Sequence, residues 1–229
     1  MRYFLSTIFS LLFLCNVCSA QEKLELKDQK DKESYSLGYQ FGESLKMQGV
    51  EINLDVYTSA IRDSLGGKEP QLSSEEIRST VMGLRQRVAA VQQKALMEQA
   101  EKNLAEAKSF LAENGKKEGV KTLPSGVQYK VLSEGAGKMP KKTDTVTVHY
   151  RGTFINGTEF DSSIARGQPT TFQVDGVIPG WSEALQLMKE GAKWQLFIPP
   201  ELAYGEMGMP PRIPPQSILL FDVELISVK

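Results

Sequence analysis

The longest uninterrupted helical pattern in the sequence lies between Ser73 and Gly115, and it constrains the fold more than any other feature. No proline occurs in this stretch, and Ala, Leu, Glu, Gln and Lys dominate it. Ser73 and Glu76 have the spacing of a capping box, so the predicted helix begins there, and Gly115 ends it. About forty helical residues span roughly 60 Å, which exceeds the interior of a small domain. Residues 73–115 are therefore predicted to form a long connecting helix.

The second half of this helix allows two interpretations. Its apolar positions are too few for burial on all sides. It is either a solvated helix with intrahelical ion pairs or a rigid spacer between two modules. We favour the spacer, because compact modules are predicted on both sides of it.

Residues 21–72 are predicted to form a helical dimerisation domain. A first helix is expected within 32–49, where Gly38 and Gly42 would let another helix approach closely. A second helix is expected after Asn53, a favourable N-cap, and before Gly66. A domain of fewer than about 40 residues rarely buries enough apolar surface to be stable alone. We therefore expect this region to pair with a second copy of the chain as a homodimer.

Residues 1–20 are predicted to be a signal peptide that is removed from the mature protein. A short basic start at Arg2 precedes an apolar run that is shorter than the roughly 20 residues of a membrane-spanning helix. Small residues at Cys18 and Ala20 favour cleavage before Gln21 and export, with the periplasm as the expected location. Lipidation of Cys18 or Cys15 is the alternative, and it would place the protein on the outer membrane or the cell surface.

The composition excludes several classes of enzyme. Both cysteines lie within the predicted signal peptide, so the mature chain has no thiol, and His149 is its single histidine. Serine–histidine and cysteine–histidine hydrolases and most zinc enzymes are excluded. A formal net charge of −1 does not favour nucleic-acid binding. We expect no metal site and no cofactor.

Residues 116–229 are predicted to be an α+β module. An antiparallel sheet is predicted from six short segments that alternate or are β-branched: 127–132, 145–155, 158–163, 170–175, 192–200 and 217–228. One short helix within 181–188 is expected to pack on this sheet. Asn156 and Gly157 predict a hairpin turn. Aromatic residues fall at the ends of these elements. Those in loops, Trp181 and Tyr204, suggest a pocket wall more than a core, whereas Phe172 is interpreted as core.

The stretches VTVHYRGTFINGTEFDSS, VIPGWSEALQLMKEGAKWQLFIPPELAYG and ILLFDVELI resemble the FK506-binding-protein (FKBP) family of peptidyl-prolyl isomerases, over residues 120–229. The N-terminal part, with DKESYSLGYQFG and the long helix, resembles the macrophage infectivity potentiator (Mip) group. The resemblance implies the FKBP fold, a half-barrel sheet wrapped on one helix. It also implies a homodimer through the N-terminal helices, proline-containing unfolded or exported polypeptides as substrates, and inhibitors of the FK506 or rapamycin type.

The resemblance also implies a set of site residues. Trp181 would form the floor of a proline pocket. The Ile178 backbone N–H and the Tyr204 hydroxyl would each bind a substrate carbonyl. Asp161 would lie at the pocket edge beside Arg166. The walls would be Tyr150, Phe160, Val177, Ile178, Ile213 and Phe221.

Three positions depart from the family pattern. Thr170 stands where many relatives have an aromatic residue, Met209 replaces a frequent histidine, and Arg212 takes a usually apolar place. We expect these residues to alter sequence preference or inhibitor fit while the pocket floor stays intact.

Rotation about an X–Pro amide breaks no bond and needs no proton transfer. Asp161 is therefore expected to orient the Tyr150 hydroxyl and to set the electrostatic field at the twisting carbonyl. The alternative is a solvated carboxylate at a strand end, paired with Arg166. For the whole protein, the alternative to a prolyl isomerase is a holdase-type chaperone or a proline-peptide binding module with incidental isomerase activity.

Overall fold

A computed structural model describes residues 24–229 of the chain. The predicted signal peptide, with Cys15 and Cys18, lies outside the described residues. The chain divides into two compact units, one ending at Pro70 and the other comprising residues 71–229. In the described part of the chain, no helix is both long enough and apolar enough to cross a membrane.

Within residues 24–70, the N-terminal unit contains two helices, α1 (Gln29–Met47) and α2 (Leu54–Leu65). Asp28 and Asn53 are their N-caps, each accepting a hydrogen bond from a backbone N–H of the first turn. The rings of Phe41 and Tyr57 stack, with centroids 5.2 Å apart. Within this described single chain no residue of either helix is buried, so the unit has apolar side chains but no core of its own.

The long helix α3 (Ser74–Asn114) has 41 residues and confirms the sequence prediction. The capping box is complete: the Ser73 hydroxyl accepts a hydrogen bond from the Glu76 N–H, and the Glu76 carboxylate accepts one from the Ser73 N–H. Only the last turns are buried, at Ala107 and Asn114. The C-terminal end of α3 therefore packs onto the sheet, while the rest remains solvated.

The C-terminal module is one antiparallel sheet of seven strands, β1 (Val120–Thr122), β2 (Gln128–Ser133), β3 (Thr145–Thr153), β4 (Glu159–Ser162), β5 (Thr170–Gln173), β6 (Lys193–Ile198) and β7 (Leu219–Val228). They lie in the order β1-β2-β6-β7-β3-β4, with β5 paired to β3. The six strands predicted from the sequence are all present, and β1 is an additional strand that was not predicted.

A single short helix, α4 (Pro179–Leu185), covers the concave face of the sheet. It begins two residues before the predicted start, because Pro179 has the backbone geometry of a first helical position and needs no N–H partner there. Trp181, Ala184 and Leu185 are buried against the sheet. Trp181 thus lies where the loop enters the helix, with its ring directed into the core.

The predicted hairpin turn joins β3 to β4. The Phe154 carbonyl accepts a hydrogen bond from the Gly157 N–H, and the Phe154 N–H donates to the Thr158 carbonyl. Gly157 has a φ of 82°, in the left-handed region that favours glycine. The connection is thus a three-residue loop that ends with a left-handed glycine. It places Phe154 and Phe160 on neighbouring strand ends.

Candidate active site

A cluster of aromatic rings surrounds Trp181 between α4 and the sheet. The Trp181 ring meets Tyr150, Phe172 and Phe221 at centroid distances of 5.3, 6.0 and 5.1 Å, with interplanar angles of 88°, 85° and 77°. Edge-to-face contacts of this kind are the favourable geometry for aromatic pairs. The Trp181 indole N–H is buried and has no hydrogen-bond partner among the described residues. The floor of the cluster is therefore apolar except for this one unpaired N–H.

The remaining wall residues join the same cluster. Phe160 is half-buried and meets Phe221 edge-to-face, with centroids 5.5 Å apart. Ile213 is buried, and Val177 and Ile178 pack against the core at partial exposure. The structure thus brings all the predicted apolar site residues together at one end of the concave sheet face.

Three polar side chains form one edge of this cluster. The Tyr150 hydroxyl donates a hydrogen bond to the Asp161 carboxylate at 2.5 Å. The Arg166 guanidinium forms an ion pair with Asp161 and donates to the Tyr150 oxygen at 2.8 Å. Both contacts expected of Asp161, the one with the hydroxyl and the one with Arg166, are therefore present together. A direct contact of Arg166 with substrate stays a prediction.

The pKa values of this group follow from its contacts. Burial alone would raise the pKa of Asp161, but hydrogen bonds from Tyr150 and Arg166 and the charge of Arg166 outweigh it and lower the pKa below the usual 3.8. Burial, and then the hydrogen bond to Asp161, raises the pKa of the Tyr150 hydroxyl above its usual 10.0. At neutral pH the edge thus carries an ionised carboxylate and a protonated phenol.

Two hydrogen-bond donors border the cluster without partners in the part of the chain that the structure describes. Tyr204 is 36% exposed, and among the described residues its hydroxyl takes part in no hydrogen bond. Burial, and then the negative charge of Asp161, raises the pKa of this hydroxyl. Ile178 is the N-cap of α4, and its own N–H has no backbone acceptor within residues 24–229. Both groups can donate to the carbonyl of a bound molecule.

The loop from Tyr204 to Ser217 carries two of the three departures from the family pattern. Met209 pairs with Ile213 in an isolated β-bridge, and Met209 and Arg212 are exposed. Thr170, the third departure, lies at the start of β5 and is half-buried. The Arg166 guanidinium donates a hydrogen bond to the Thr170 hydroxyl at 3.4 Å, so Thr170 borders the polar edge of the Trp181 cluster. Their effect on selectivity stays a prediction.

Three residues that contribute to the site, Phe172, Phe154 and Ser163, were not predicted as site residues from the sequence. Phe172, interpreted as core alone, contacts both Trp181 and Tyr150. Phe154 packs on Phe160 at 5.0 Å, and only the hairpin geometry places it there. The Ser163 hydroxyl accepts a hydrogen bond from the Tyr150 N–H at 2.8 Å and fixes the strand that carries Tyr150. The alternating pattern in β5 could have indicated Phe172, but no local signal identifies the other two.

The chain is similar in sequence to proteins of one known family. Residues 137–226 match the family described as FKBP-type peptidyl-prolyl cis-trans isomerase, and residues 30–131 match the domain amino-terminal to it. The chain is 42% identical to the outer membrane protein MIP of Legionella longbeachae over 218 residues, covering 95% of this chain and 94% of that protein. It is 43% identical to the peptidyl-prolyl cis-trans isomerase Mip of Coxiella burnetii, with 92% of each chain covered.

The crystal structure of FkpA from Escherichia coli is similar to this fold, with a TM-score of 0.72 at 42% identity. The match covers 90% of this chain and 99% of that one. The helical N-terminal region and the antiparallel sheet with its helix are common to both, which confirms the FKBP fold. On these matches, the chain belongs to the FKBP-type peptidyl-prolyl cis-trans isomerases, in the group that carries the additional N-terminal domain.

Proposed function

We propose that the aromatic cluster around Trp181 is the pocket in which this isomerase rotates X–Pro amides. The barrier to that rotation is about 18–20 kcal/mol, and the unaided reaction takes about 10–100 s. A planar amide is strongly polarised and well solvated by water, whereas a twisted amide has lost resonance. A dry apolar pocket therefore stabilises the twisted form relative to the planar one, which is differential binding of the transition state. The buried, edge-to-face floor at Trp181 carries this proposal.

The two unpartnered donors would hold the chain on either side of the rotating bond. The Ile178 N–H and the Tyr204 hydroxyl would each donate to a substrate carbonyl, which fixes the flanking segments while the amide turns. Substrate positioning of this kind removes part of the entropic barrier. Neither donor needs to transfer a proton, and the raised pKa of Tyr204 keeps its hydroxyl protonated.

Asp161 would act through Tyr150. The Asp161 carboxylate accepts a hydrogen bond from the Tyr150 hydroxyl, and the positive charge of Arg166 balances the charge of this carboxylate. The result is a fixed dipole at the pocket edge where the prolyl carbonyl turns. Fixed dipoles stabilise a changing charge distribution without reorganising during the reaction.

The first test is the isomerisation of a short Ala-Phe-Pro peptide by purified residues 21–229, with and without FK506. We expect fast turnover that FK506 blocks, and turnover lost in Trp181→Leu. Fast turnover that resists the drug would mean that Thr170, Met209 or Arg212 has reshaped the rim. No turnover by the parent chain, or full turnover by the Trp181→Leu variant, would overturn the assignment of the pocket.

We also infer that the N-terminal unit pairs with a second copy of the chain. Large apolar side chains are exposed on both of its helices, and a two-helix unit without buried residues has too small a core to be stable alone. The exposed side chains include Tyr35, Leu37, Tyr39 and Phe41 on α1 and Leu54, Val56, Ile61 and Leu65 on α2. Such a dimer would present two isomerase modules to one polypeptide.

The dimer is tested by sedimentation of residues 21–229 and of a Gly38→Ala/Gly42→Ala variant. In the single chain, a Cβ at either glycine contacts nothing within 4 Å, so alanine should stabilise α1 by about 0.5–1 kcal/mol per site. If a partner helix approaches closely at these positions, the added methyl groups should clash with it. The variant should then dimerise more weakly than the parent chain, even though α1 itself is more stable. The exposed Ser36→Ala change serves as the control. A monomeric parent chain would refute the dimer.

The substrates we propose are unfolded exported proteins that contain proline. This proposal is supported by the apolar segment before Gln21 and by the outer membrane protein MIP of Legionella longbeachae as a relative. It is tested by fractionating cells that express the tagged chain, with N-terminal sequencing of the product. A periplasmic protein that begins at Gln21 supports cleavage and export, whereas a lipid-modified Cys18 would place it on a membrane. A cytoplasmic product would overturn the export proposal.

A further inference from the structure

A second cavity lies beside the pocket, between α3 and the catalytic module. It has a volume of about 660 Å³, within the range of pockets that bind small ligands. It is open to solvent along one side. We call it the helix groove. It is lined by residues of α3 between Gln99 and Glu106, by residues of the β3–β4 hairpin between Phe154 and Thr158, and by residues between Pro214 and Ile218 before β7.

The two sides of the helix groove differ in chemistry. The hairpin side presents two apolar side chains, the half-buried Phe154 and Ile155, which is 39% exposed, beside the polar Asn156 and Thr158. The helix side is polar, because Gln99, Lys102 and Glu106 are exposed there. An extended polypeptide can use both sides of the groove. Its apolar side chains can pack on the apolar residues, while its backbone amides form hydrogen bonds with the polar ones. The groove therefore matches an unfolded chain better than a purely apolar ligand.

One hydrogen bond joins α3 to the loop on the opposite side of the groove: the Asn103 side-chain amide donates to the Pro215 carbonyl at 2.6 Å. Within α3, the Asn103 side-chain oxygen accepts a hydrogen bond from Gln99, also at 2.6 Å, which orients this amide. Pro215 lies in the loop that begins at Tyr204, and the Gln216 N–H closes that loop on the Gly205 carbonyl. The same segment thus forms one wall of the groove and carries a donor of the active site.

The groove and the proline pocket share walls on two sides. Phe154 lines the groove and packs on Phe160, which in turn meets Phe221 in the pocket. Pro214 lines the groove, and its neighbour Ile213 is buried in the aromatic cluster. Three extended residues span about 10–11 Å, comparable to the two centroid steps of 5.0 and 5.5 Å from Phe154 through Phe160 to Phe221, whereas two residues span only about 7 Å.

We propose that the helix groove binds a segment of the same polypeptide whose proline occupies the pocket, a few residues away from that proline. This rests on the proposed function of the pocket. The occupant is an extended, mainly apolar stretch of unfolded chain. A second contact on one chain raises affinity through effective concentration without changing the rotation itself. Long unfolded substrates therefore gain from the groove, and tetrapeptides, which end before it, do not.

The test compares two substrates on the chain 21–229. One is a tetrapeptide with a central proline, and the other is a reduced and alkylated protein whose refolding is limited by prolyl isomerisation. Ile155→Asp places a charge on the apolar wall at an exposed position. We expect it to lower kcat/KM on the protein substrate about fivefold, the size of one lost apolar contact of about 1 kcal/mol, and to leave the tetrapeptide within twofold.

Leu187→Asp is the matched control, since Leu187 is 44% exposed and does not line the groove. It should leave both substrates unchanged. An Ile155→Asp variant that retains full activity on the protein substrate, or that loses equal activity on both substrates, overturns the groove proposal. If the parent chain fails to turn over the tetrapeptide, the proposed function of the pocket fails instead, so the two failures are distinguishable.

A second measurement locates the segment directly. Residues 21–229 contain no cysteine, so Ile155→Cys introduces a single thiol. Twelve-residue peptides with one proline and a haloacetyl group at increasing distances from it should crosslink to this thiol at only a few positions, and FK506 should suppress the reaction. Leu187→Cys should react slowly and without positional preference. Equal crosslinking at both cysteines would refute a bound segment in the groove.

Discussion

The Tyr150 hydroxyl donates a hydrogen bond to the Asp161 carboxylate at 2.5 Å, and the same hydroxyl oxygen accepts a hydrogen bond from Arg166. The phenol is therefore oriented from both sides, and its one donor is already used. Tyr150 thus contributes to the pocket an apolar ring and a fixed dipole. Tyr204, by contrast, keeps its hydroxyl available to a bound molecule.

This arrangement predicts that Asp161 and Tyr150 act as one unit. Asp161→Asn keeps a hydrogen-bond acceptor but removes the charge, and Tyr150→Phe removes the hydroxyl. Each change should lower kcat/KM on a tetrapeptide about fivefold, the worth of one hydrogen bond of about 1 kcal/mol. The double variant should lose little more than either single variant, because both remove the same dipole. Losses that multiply would show that the two residues act independently.

A pH dependence follows from the lowered pKa of Asp161. The folded state holds the carboxylate ionised more strongly than the unfolded state does, so the group stabilises the fold above the unfolded pKa near 3.8. That stabilisation is lost as the pH falls through the lower folded pKa. The difference in urea midpoint between the parent chain and Asp161→Asn should therefore be constant from pH 7 to about pH 5 and shrink below pH 4. A difference that grows on acidification would contradict the sign of this shift.

The raised pKa of Tyr204 makes a prediction at the alkaline end. Burial, and then the charge of Asp161, raises the pKa of its hydroxyl above the usual 10.0. Any loss of tetrapeptide turnover from ionisation of Tyr204 should therefore begin at a higher pH than the ionisation of an exposed tyrosine. Tyr204→Phe should lower kcat/KM about fivefold at every pH, since it removes one donor to the substrate. An unchanged rate in this variant would remove Tyr204 from the site.

Gly152 sets the spacing of two pocket walls. A Cβ at this position would lie 2.6 Å from Phe160 Cζ and 2.8 Å from Phe221 Cε1, closer than real contacts allow. Gly152→Ala should displace both rings, lower stability by about 1–3 kcal/mol and reduce turnover. Gly176→Ala is the control, because its nearest contact would be an ordinary 3.7 Å to Gln173. Denaturant titration and the tetrapeptide assay measure both effects.

Local signals in the sequence accounted for most of the fold. The capping box at Ser73, the N-cap at Asn53 and the glycine after Asn114 predicted three helix ends, because caps satisfy backbone groups within one turn. Alternating patterns predicted six of the seven strands. β1 was not predicted, because it has only three residues and pairs only with β2. Three residues carry too little pattern to distinguish a strand from a loop.

The site was predicted from family motifs and not from local physics. Trp181, Tyr150 and Phe221 lie far apart in the chain, and only the register of β3 with β7 and the position of α4 bring their rings together. The same holds for Asn103 and Pro215, which are 112 residues apart. Contacts of this range depend on the whole fold, so no short pattern predicts them.

The end of α3 leads to a last prediction about where the isomerase module begins. The sequence suggested a boundary at residue 116. Yet Asn114 is buried and donates to the Gln128 side chain, and Phe110 packs on Phe197 with centroids 5.9 Å apart. A chain of residues 116–229 loses these contacts and should be less stable than residues 98–229 by about 2–5 kcal/mol in denaturant titration.

Both shortened chains should be monomeric and should turn over a tetrapeptide, because every residue assigned to the pocket follows residue 149. The shorter chain also lacks the helix side of the groove, so its activity on the unfolded protein substrate should fall relative to that of residues 98–229. Measuring tetrapeptide rates well below the unfolding midpoint of each chain separates stability from catalysis. A folded chain of residues 116–229 that is inactive on tetrapeptides would mean that part of the site lies before residue 116.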